Sequence, residues 1–380
     1  MTYVWFRVDA SREIGMGHLM RCLALAQSMG REGLPSCFIV RECEELQAVE
    51  QLLRRYDYGV EVIPQDGDVL EDAHRTAAIA GRVAAAANSI IVTDLCYTQM
   101  LAHPEGLSQY HRVLKRRGAF VVTVDQGIGI DYVSDLIVSP YYRAEEPHYT
   151  ARSGQHILTG PAYFIFREEF VRAARVERVI RTVAERLLVT LGGIDPFHLT
   201  GKIIRALRQI ERPFHVVVVV TGLSSGVRDE VEEALRGWRG TSECLVEPKD
   251  LARWMLWADL AITGEGLTKY EAAVTGTPTV TLSRFDDHEP LVKAFERAGT
   301  SVHLGVGPSL TEASIAQGIR HVVDDAPLRR QMSRNGRVLV DGRGTERVTA
   351  AILERVCGRR RRYSRLPDGA LVQDHPASSS

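Results

Sequence analysis

Short apolar runs of strand length alternate with helical segments through almost the whole chain. In the first half the segments Glu44–Tyr56 and Leu70–Ala87 have helical periodicity. The apolar runs around them read YVWFRV, SCFIV, VEVI, SIIVTDL, AFVVTVD, DLIVS and HILTG. Near-continuous apolar strands separated by helices are typical of a parallel sheet with helices on both faces. The pattern therefore predicts an α/β fold.

The alternation pauses once and then restarts. The pause spans Arg167–Arg186, a charged segment that we predict to be helical, and the restart is LLVTLGG from Leu187. With 380 residues, 45% of them hydrophobic, the chain has enough apolar side chains for two cores. We predict two doubly wound, Rossmann-like domains that face a cleft. The expected boundaries are 1–166 and 167–345, followed by a helix at 346–362 and a disordered tail at 363–380.

Charge and composition narrow the function classes. Lys plus Arg number 47 against 48 Asp plus Glu, so no overall field favours nucleic acid, and the basic run Arg359–Arg362 is interpreted as a solvated helix end. No apolar stretch is long enough to span a membrane, and no secretion leader precedes the first strand. The six cysteines form no CxxC pair. We expect a cytoplasmic protein without a zinc site.

The first strand leads into a helix through the turn REIGMGHLM. Gly15 and Gly17 would let backbone amides approach an anion, although Met20 replaces the third glycine of a dinucleotide fingerprint. His18 follows in the first helical turn, where the helix dipole disfavours the imidazolium and favours a neutral base. Asp9 is the nearest sequence candidate to orient the ring. The alternatives are that His18 caps the helix or packs under the loop, and that Asp9 fixes the turn.

The glycine-containing segment TLGGIDPFHL opens the second half. Gly192 and Gly193 permit close approach of the backbone to a ligand. Asp195 and Pro196 predict a helix start, with Asp195 as the cap and Pro196 at the first helical position. A role in stabilising the turn fully explains why Asp195 and Pro196 occur here. It explains the two adjacent glycines only in part.

The segment TGEGLTKYEAAVTGTP predicts a nucleotide site. A strand ends at Thr263, a turn follows, and a helix begins near Thr268, so backbone amides there can bind a diphosphate. Glu271 can accept two hydrogen bonds from a ribose diol, or it is a solvated helix residue. A carboxylate within the turn would repel phosphate unless it points away or is protonated. The candidate residues of this turn are Gly264, Glu265, Gly266, Leu267 and Thr268.

A polar loop, SRFDDHEPL, follows the next strand. Its residues Asp287, His288 and Glu289 could bind sugar hydroxyls, or they form an ordinary polar loop before a helix. No DxD-like pair follows a strand in the manner of metal-dependent sugar transferases, and the only close matches are Asp286-Asp287 and Asp324-Asp325. We therefore expect no metal and no cofactor, with the glycine turns and helix starts neutralising the diphosphate.

Five motifs in this order resemble a known family: RVDASREIGMGHLMRCLALA, GPAYFIFREEF, VTLGGIDPFHLT, GEGLTKYEAAVTGTP and DGRGTERV. The chain is similar, over about Tyr3 to Val348, to the hydrolases that remove UDP from UDP-2,4-diacetamido-2,4,6-trideoxyaltrose and to the related spore-coat polysaccharide proteins. The resemblance implies a GT-B fold like that of MurG-type glycosyltransferases. It also implies inverting attack of water on the anomeric carbon, with UDP as the leaving group.

The same resemblance assigns roles to individual residues. It implies that His18 is the base and that Glu271 holds the nucleotide ribose. Arg21 lies in the first motif, and the segment TDLCY approximately matches an Asp-x-Tyr pattern. Arg21, Asp94 and Tyr97 are therefore expected among the substrate-binding residues.

The chain departs from the family in two places. It has DDHEP where the hydrolases tend to have an Asn-Gln pair, and GEGLT where they have a Gly-Gly-Thr-Thr turn. The prediction is a UDP-sugar hydrolase of surface-glycan or special-sugar biosynthesis, with a nucleotide sugar and water as partners. One alternative is an inverting glycosyltransferase that uses a small acceptor. The other is a nucleotide-sugar-binding protein without catalysis.

Overall fold

Two parallel sheets, one in each half of the chain, carry all thirteen strands of the described residues in the computed structural model. The structure describes residues 2–11, 14–83, 89–95, 104–124, 132–142, 149, 151–192, 195–221, 226–286 and 289–362. Both sheets are built from strand and helix units in series. The predicted α/β architecture is therefore confirmed.

The first sheet has seven strands in the order β3-β2-β1-β4-β5-β6-β7. The order reverses between β1 and β4, which is where a doubly wound sheet opens a crevice at its carboxyl edge. The elements are β1 Tyr3–Val8, α1 Gly17–Arg31, β2 Ser36–Arg41, α2 Leu46–Arg55, β3 Gly59–Ile63, α3 Val69–Val83, β4 Ser89–Asp94, α4 Pro104–Arg116, β5 Phe120–Val124, β6 Leu136–Ser139 and β7 His156–Thr159.

The second sheet has six strands in the order β10-β9-β8-β11-β12-β13, and it reverses between β8 and β11. Its elements are α5 Glu168–Ala173, β8 Arg186–Thr190, α6 Leu199–Arg208, β9 His215–Val220, α7 Val227–Leu235, β10 Ser242–Val246, α8 Leu251–Trp257, β11 Leu260–Thr263, α9 Thr268–Thr275, β12 Thr279–Ser283, α10 Glu289–Arg297, β13 Ser301–Val306, α11 Glu312–Asp324, α12 Ala326–Leu339 and α13 Gly344–Arg362. The second half thus repeats the plan of the first, as predicted.

Each sheet is covered on both faces. In the second half, residues of α6, α7 and α11 share one apolar core with the sheet, while residues of α5, α8 and α9 share the other. Alternate side chains of a strand point to opposite faces. Leu187 of β8 accordingly lies in the first of these cores and Leu188 in the second.

The charged segment between the halves is only partly helical, which corrects the prediction for Arg167–Arg186. α5 ends at Ala173, and residues 177–181 have no regular structure. Arginines hold this stretch against the second half. Arg178 donates to the carbonyls of Met255 and Leu256, and Arg329 donates to those of Arg181 and Thr182. Hydrogen bonds to neighbouring elements thus replace those of a helix.

The last helix, α13, returns to the first half. Its Thr349 donates a hydrogen bond to Ser28 of α1 at 2.9 Å, and Val348 and Ile352 are buried in the core that α1 shares with the first sheet. Thr345, at the start of α13, binds the backbone of Phe166 through both a donated and an accepted hydrogen bond. The chain therefore crosses between the halves at these two packed segments. Among the described residues, no helix is long and apolar enough to cross a membrane.

Candidate functional site

A glycine turn joins β1 to α1 at the carboxyl edge of the first sheet. The Gly15 amide donates to the Ser11 carbonyl at 2.7 Å. Gly15 has a φ of 81°, a left-handed conformation that favours glycine. The closed turn leads directly into α1 at Gly17, so that His18 lies in the first turn of the helix.

His18 packs against the end of the neighbouring strand. Its Nδ1 lies 2.6 Å from Oδ1 of Asp94, the last residue of β4. Both side chains are buried. β1 pairs with β4 in parallel, with Val8 beside Asp94, and this register brings the carboxylate to the strand end next to the α1 turn.

Arg21, one turn further along α1, binds the same carboxylate. Its Nη2 donates to Asp94 Oδ1 at 2.5 Å and its Nε donates to Oδ2. The guanidinium carbon also lies 5.7 Å from the centre of the Tyr141 ring. A bidentate arginine fixes both the charge and the orientation of a carboxylate. Arg21 and Asp94, which the sequence predicts to bind substrate, thus contact each other and His18.

The charge on Asp94 decides which nitrogen of His18 carries the proton. Burial opposes ionisation, but the Arg21 guanidinium and the His18 ring outweigh it and lower the pKa of Asp94 to about 2. An ionised carboxylate can only accept a hydrogen bond, so Nδ1 carries the proton and donates it to Asp94. Arg21 Nη2 also lies 3.0 Å from Nδ1, but its shorter contact is with Asp94. Nε2 is then the atom with the lone pair.

Asp9 lies on the other face of the sheet, which corrects its predicted role beside His18. Its Oδ1 accepts a hydrogen bond from Arg7 Nη1 at 2.5 Å, and Arg7 also binds Asp72 of α3. Side chains alternate along β1, so that Arg7 and Asp9 point away from the face shared by Val8 and Asp94. Asp94, and not Asp9, is the carboxylate whose contact with His18 is described above.

The second glycine turn, between β11 and α9, packs against the end of β8. A Cβ on Gly264 would lie 2.8 Å from the Leu191 carbonyl oxygen, which leaves room for glycine alone, whereas a Cβ on Gly266 would meet nothing within 4 Å. Gly192 has a φ of 96°, and a Cβ there would lie 4.0 Å from Thr268 Oγ1. The turns after β8 and β11 therefore lie side by side.

Asp195 caps α6, but Pro196 is not its first residue. The two carboxylate oxygens of Asp195 accept hydrogen bonds from the amides of Leu199 and Thr200 at 2.9 and 2.8 Å. α6 begins at Leu199, and Pro196 lies in the turn before it. The carboxylate reaches the helix across a longer turn than the sequence predicts.

The two glycine turns meet where the halves face each other. A Cβ on Gly17 would lie 3.2 Å from Cδ1 of Leu267, the residue that precedes α9. On the same helix, Tyr270 Oη accepts a hydrogen bond from the Tyr142 amide at 2.8 Å. The N-terminal ends of α1 and α9 are thus brought together, and both carry the partial positive charge of a helix start.

The charged side chains of the second turn are paired with the protein. Glu265 is buried and accepts hydrogen bonds from the Arg284 amide at 3.1 Å and from Arg284 Nε at 2.5 Å. Lys269 Nζ donates to the carbonyls of Glu265 and Gly266. Burial lowers the pKa of Lys269 to about 8, and the nearby Glu265 opposes this shift. The conflict of a carboxylate within a phosphate turn is thus relieved by Arg284.

Glu271, predicted to bind ribose, extends from α9 toward α5. Its Oε1 lies 3.0 Å from Arg167 Nη2, and Arg167 Nη1 lies 2.8 Å from Glu169. Burial opposes the charge on Arg167, but Glu271 and Glu169 raise its pKa. The contact orients the Glu271 carboxylate and engages one of its two oxygens.

The remaining predicted residues are divided between two groups. Glu289 begins α10 and lies 3.1 Å from Lys293 Nζ and 3.6 Å from His303 Nε2, so it is paired within the protein. The others lie outside the described residues: Tyr97, Gly193, Asp287 and His288.

Sequence reasoning missed three contacting residues: Tyr141, Arg167 and Arg284. Tyr141 follows the carboxyl end of β6, and Arg284 follows that of β12. For Tyr141 and Arg284, the position after a strand end was the signal available in the sequence. It did not reveal the partners, because those come from distant segments.

No protein-family model matches this chain. The spore coat polysaccharide biosynthesis protein SpsG of Bacillus subtilis is 25% identical over 356 residues, covering 92% of this chain and 97% of SpsG. The predicted resemblance is confirmed. SpsG-like similarity therefore extends through both sheets and not only through the five motifs.

Solved structures agree on the fold. MurG of Acinetobacter baumannii matches with a TM-score of 0.66 at 14% identity, over 93% of this chain and all of MurG. UDP-GlcNAc 2-epimerase of Neisseria meningitidis, solved bound to UDP-GlcNAc, matches with a TM-score of 0.57 at 11% identity, over 93% of this chain and all of the epimerase. The GT-B-like fold predicted for this SpsG-like chain is confirmed.

The described residues include no group of three or more His, Cys, Asp or Glu side chains arranged to hold a metal ion. The charged groups around the two turns that are described above are instead paired with arginines, a lysine, a histidine or backbone groups.

Proposed function

We propose that this protein is a nucleotide-sugar enzyme that breaks the bond between the anomeric carbon and the diphosphate, with His18 as the general base. The observation that carries the proposal is the buried Asp94–His18 contact at the start of α1, beside Leu267 of the second glycine turn. It joins a candidate base to a candidate anion site across the two halves. The names of the similar proteins, which include a polysaccharide biosynthesis protein and a UDP-GlcNAc epimerase, support a nucleotide sugar as the substrate class.

His18 would act through Nε2. As the oxygen of water or of an acceptor hydroxyl attacks the anomeric carbon, its proton passes to Nε2. The carbon–oxygen bond to the diphosphate breaks, and its electron pair leaves with the nucleoside diphosphate. Attack from the side opposite the leaving group inverts the anomeric configuration. Asp94 keeps its negative charge, because its pKa is lowered to about 2, and this charge stabilises the imidazolium that forms.

The second half would hold the nucleoside diphosphate. The backbone amides at the start of α9 would bind the diphosphate. The negative charge of Glu265 does not compete with this binding, because Arg284 pairs with it. Glu271, held by Arg167 through one oxygen, would accept hydrogen bonds from the ribose hydroxyls. The binding of the diphosphate at a helix start also stabilises the negative charge that develops on the leaving group.

Water is the proposed nucleophile, in a UDP-sugar hydrolase of glycan biosynthesis. The resemblance of the first motif to the UDP-sugar hydrolases supports water. The likeness of the fold to MurG supports the alternative, an inverting glycosyltransferase in which a small acceptor hydroxyl replaces water. Both reactions use the same base and the same leaving group.

One assay distinguishes these possibilities. The purified protein is incubated with UDP-, CMP-, GDP- and dTDP-sugars in ¹⁸O-water without an acceptor, and release of the nucleotide is followed. The hydrolase releases nucleotide and places ¹⁸O on the sugar. Release that requires an added acceptor identifies the transferase, and binding without release under either condition identifies a non-catalytic binding protein. Label in the nucleotide phosphate would overturn attack at the anomeric carbon.

A further inference from the structure

Two phenylalanines that the proposed chemistry does not use form an exposed pair at the edge of the second sheet. Phe197 is 41% exposed and Phe285 is 43% exposed. Their ring centres lie 5.3 Å apart with the rings inclined at 74°, the edge-to-face arrangement that aromatic pairs prefer. Large apolar side chains that are both exposed and paired offer a ready-made apolar surface to a ligand.

The pair joins the loops that flank the second glycine turn. Phe197 follows β8 and Phe285 follows β12, and β11 lies between these two strands in the sheet. Neighbouring strands are about 4.8 Å apart, so β8 and β12 are separated by about 10 Å. The contact between the two rings therefore brings together the loops that leave the sheet on either side of β11. The turn Gly264–Leu267 follows β11 between these two loops.

Glu265 fixes one member of the pair. Its carboxylate accepts hydrogen bonds from both the backbone amide and Nε of Arg284, the residue before Phe285. The contact anchors the start of the loop after β12 to the glycine turn. Glu265, which is unfavourable for a phosphate, thereby has a positional role: it determines where the Phe285 ring stands relative to the turn.

The proposed ribose contact and the aromatic pair belong to opposite faces of the second sheet. Glu271, the proposed ribose contact, extends toward Arg167 beside α5, whose core lies on one face of the sheet. Phe197 lies two residues before α6, whose core lies on the other face. With the diphosphate at the start of α9, the nucleoside extends toward α5, and the moiety attached to the other phosphate extends toward the aromatic pair.

We propose that Phe197 and Phe285 form the apolar wall of the sugar subsite and pack against the C–H face of the sugar ring, with Glu265 and Arg284 as positioning residues. This inference rests on the proposed function, because it takes the diphosphate to lie on α9. The wall contributes affinity for the sugar and none for the nucleotide. A pyranose presents C–H groups on its ring faces, and the phenyl rings offer these groups contact without competing hydrogen bonds.

The test compares the affinities of UDP and UDP-GlcNAc by calorimetry. The measurements use the H18N protein, in which turnover is expected to be about 10²–10⁴-fold slower, alone and combined with F197A, F285A, F285Y or E265Q. We expect F197A and F285A each to weaken UDP-GlcNAc binding by about 5- to 20-fold, in line with the energies of aromatic contacts, and to change UDP binding less than 2-fold. F285Y keeps the aromatic face and should retain the affinity for the sugar nucleotide.

E265Q tests the positional role. Removal of the charge that holds Arg284 should weaken UDP-GlcNAc binding as F285A does, with UDP affinity unchanged or slightly improved. A role in stability alone would lower the melting temperature and leave the ratio of the two affinities constant. In that case Glu265 is not a positioning residue for the wall.

The outcomes separate the two proposals. If H18N binds neither UDP nor UDP-GlcNAc, the proposed function fails and this inference fails with it. If H18N binds UDP and the aromatic variants bind both ligands as H18N does, the inference alone fails. If F285A weakens UDP itself by as much as UDP-GlcNAc, the pair contacts the nucleoside, and the assignment to the sugar is overturned.

Discussion

The glycine turn before α1 and the glycine turn before α9 occupy equivalent places in the two sheets but present different groups. The first brings an imidazole to the helix start and supports it with the buried Asp94 and Arg21. The second binds its charged side chains to the protein, Glu265 to Arg284 and Lys269 to backbone carbonyls. In the proposed function, the first turn provides a titratable group for proton transfer, and the second provides backbone amides for an anion.

This difference shows that a glycine turn at a helix start does not by itself determine which chemical groups the turn presents. Both turns use glycine to bring the backbone close to a partner, but only the first is followed by a histidine with a carboxylate from the next strand. The comparison predicts that substitutions in the first turn change the rate of the reaction. Substitutions in the second should change affinity and stability.

Replacement of His18 is expected to have the largest effect. H18N keeps much of the side-chain volume and one polar nitrogen but removes the basic nitrogen, so kcat should fall by about 10²–10⁴-fold, the usual contribution of a general base. The Kd for UDP should change little, because we propose that the nucleotide binds to the second half of the chain. Rates are measured by nucleotide release, and full activity of H18N would contradict the role of the first turn.

The pair D94N and D9N tests which carboxylate supports the base. D94N replaces the acceptor of the His18 proton by an amide and should lower kcat by about 10²–10⁴-fold through the wrong tautomer. D9N is the matched control, because Asp9 binds Arg7 on the opposite face of the sheet, and its kcat should stay near that of the wild type. Equal losses in both variants would show that the strand faces do not separate the two roles.

Replacement of Glu271 should change affinity more than rate. E271A removes the proposed charged acceptor of the ribose hydroxyls, so UDP should bind about 10- to 100-fold more weakly, the value of a hydrogen bond to a charged group. The wild type should prefer UDP over 2′-deoxy-UDP, and E271A should lose this preference. A fall in kcat with KM unchanged would place Glu271 at the reaction centre instead.

Gly264 and Gly266 of the second turn can be compared by what an added methyl group does to the free energy of unfolding. A methyl group on Gly264 meets the Leu191 carbonyl at 2.8 Å, so G264A should lower the free energy of unfolding by about 1–3 kcal/mol, as other overpacked sites do. G266A has open space and should cost less than about 1 kcal/mol. Urea unfolding of the two variants checks this. Equal costs would mean that the turn does not depend on its contact with β8.

The last prediction concerns how the free energy of unfolding depends on pH through Lys269. Burial lowers its pKa from the ordinary 10.5 to about 8. Between these values the unfolded chain binds a proton that the folded chain lacks, so the stability of the wild type rises with pH by up to about 1.4 kcal/mol per unit. Relative to K269M, the wild type should gain stability from pH 8 to pH 10 in urea unfolding. A constant difference would show that the Lys269 pKa is not lowered.

Local patterns in the sequence were enough to predict many features of the fold. Apolar runs of β1 and β4, or of β8 and β11, are recognisable because each strand is buried on both faces. The start of α9 after two glycines was predictable for the same reason, since turn chemistry is local. The segment after Ala173 was not, because Arg178 and Arg329 hold it through carbonyls that are distant in the chain.

The sequence by itself determined the two sheets, the glycine turns and the choice of His18, because periodicity and glycine act on neighbouring residues. Only the tertiary structure decided which carboxylate supports that histidine. Asp9 is near in sequence, but the pleat of β1 directs it to the opposite face, and the register of β1 with β4 brings in Asp94 from 76 residues away. The contact of Phe197 with Phe285 has the same origin, since strands on either side of β11 place them together.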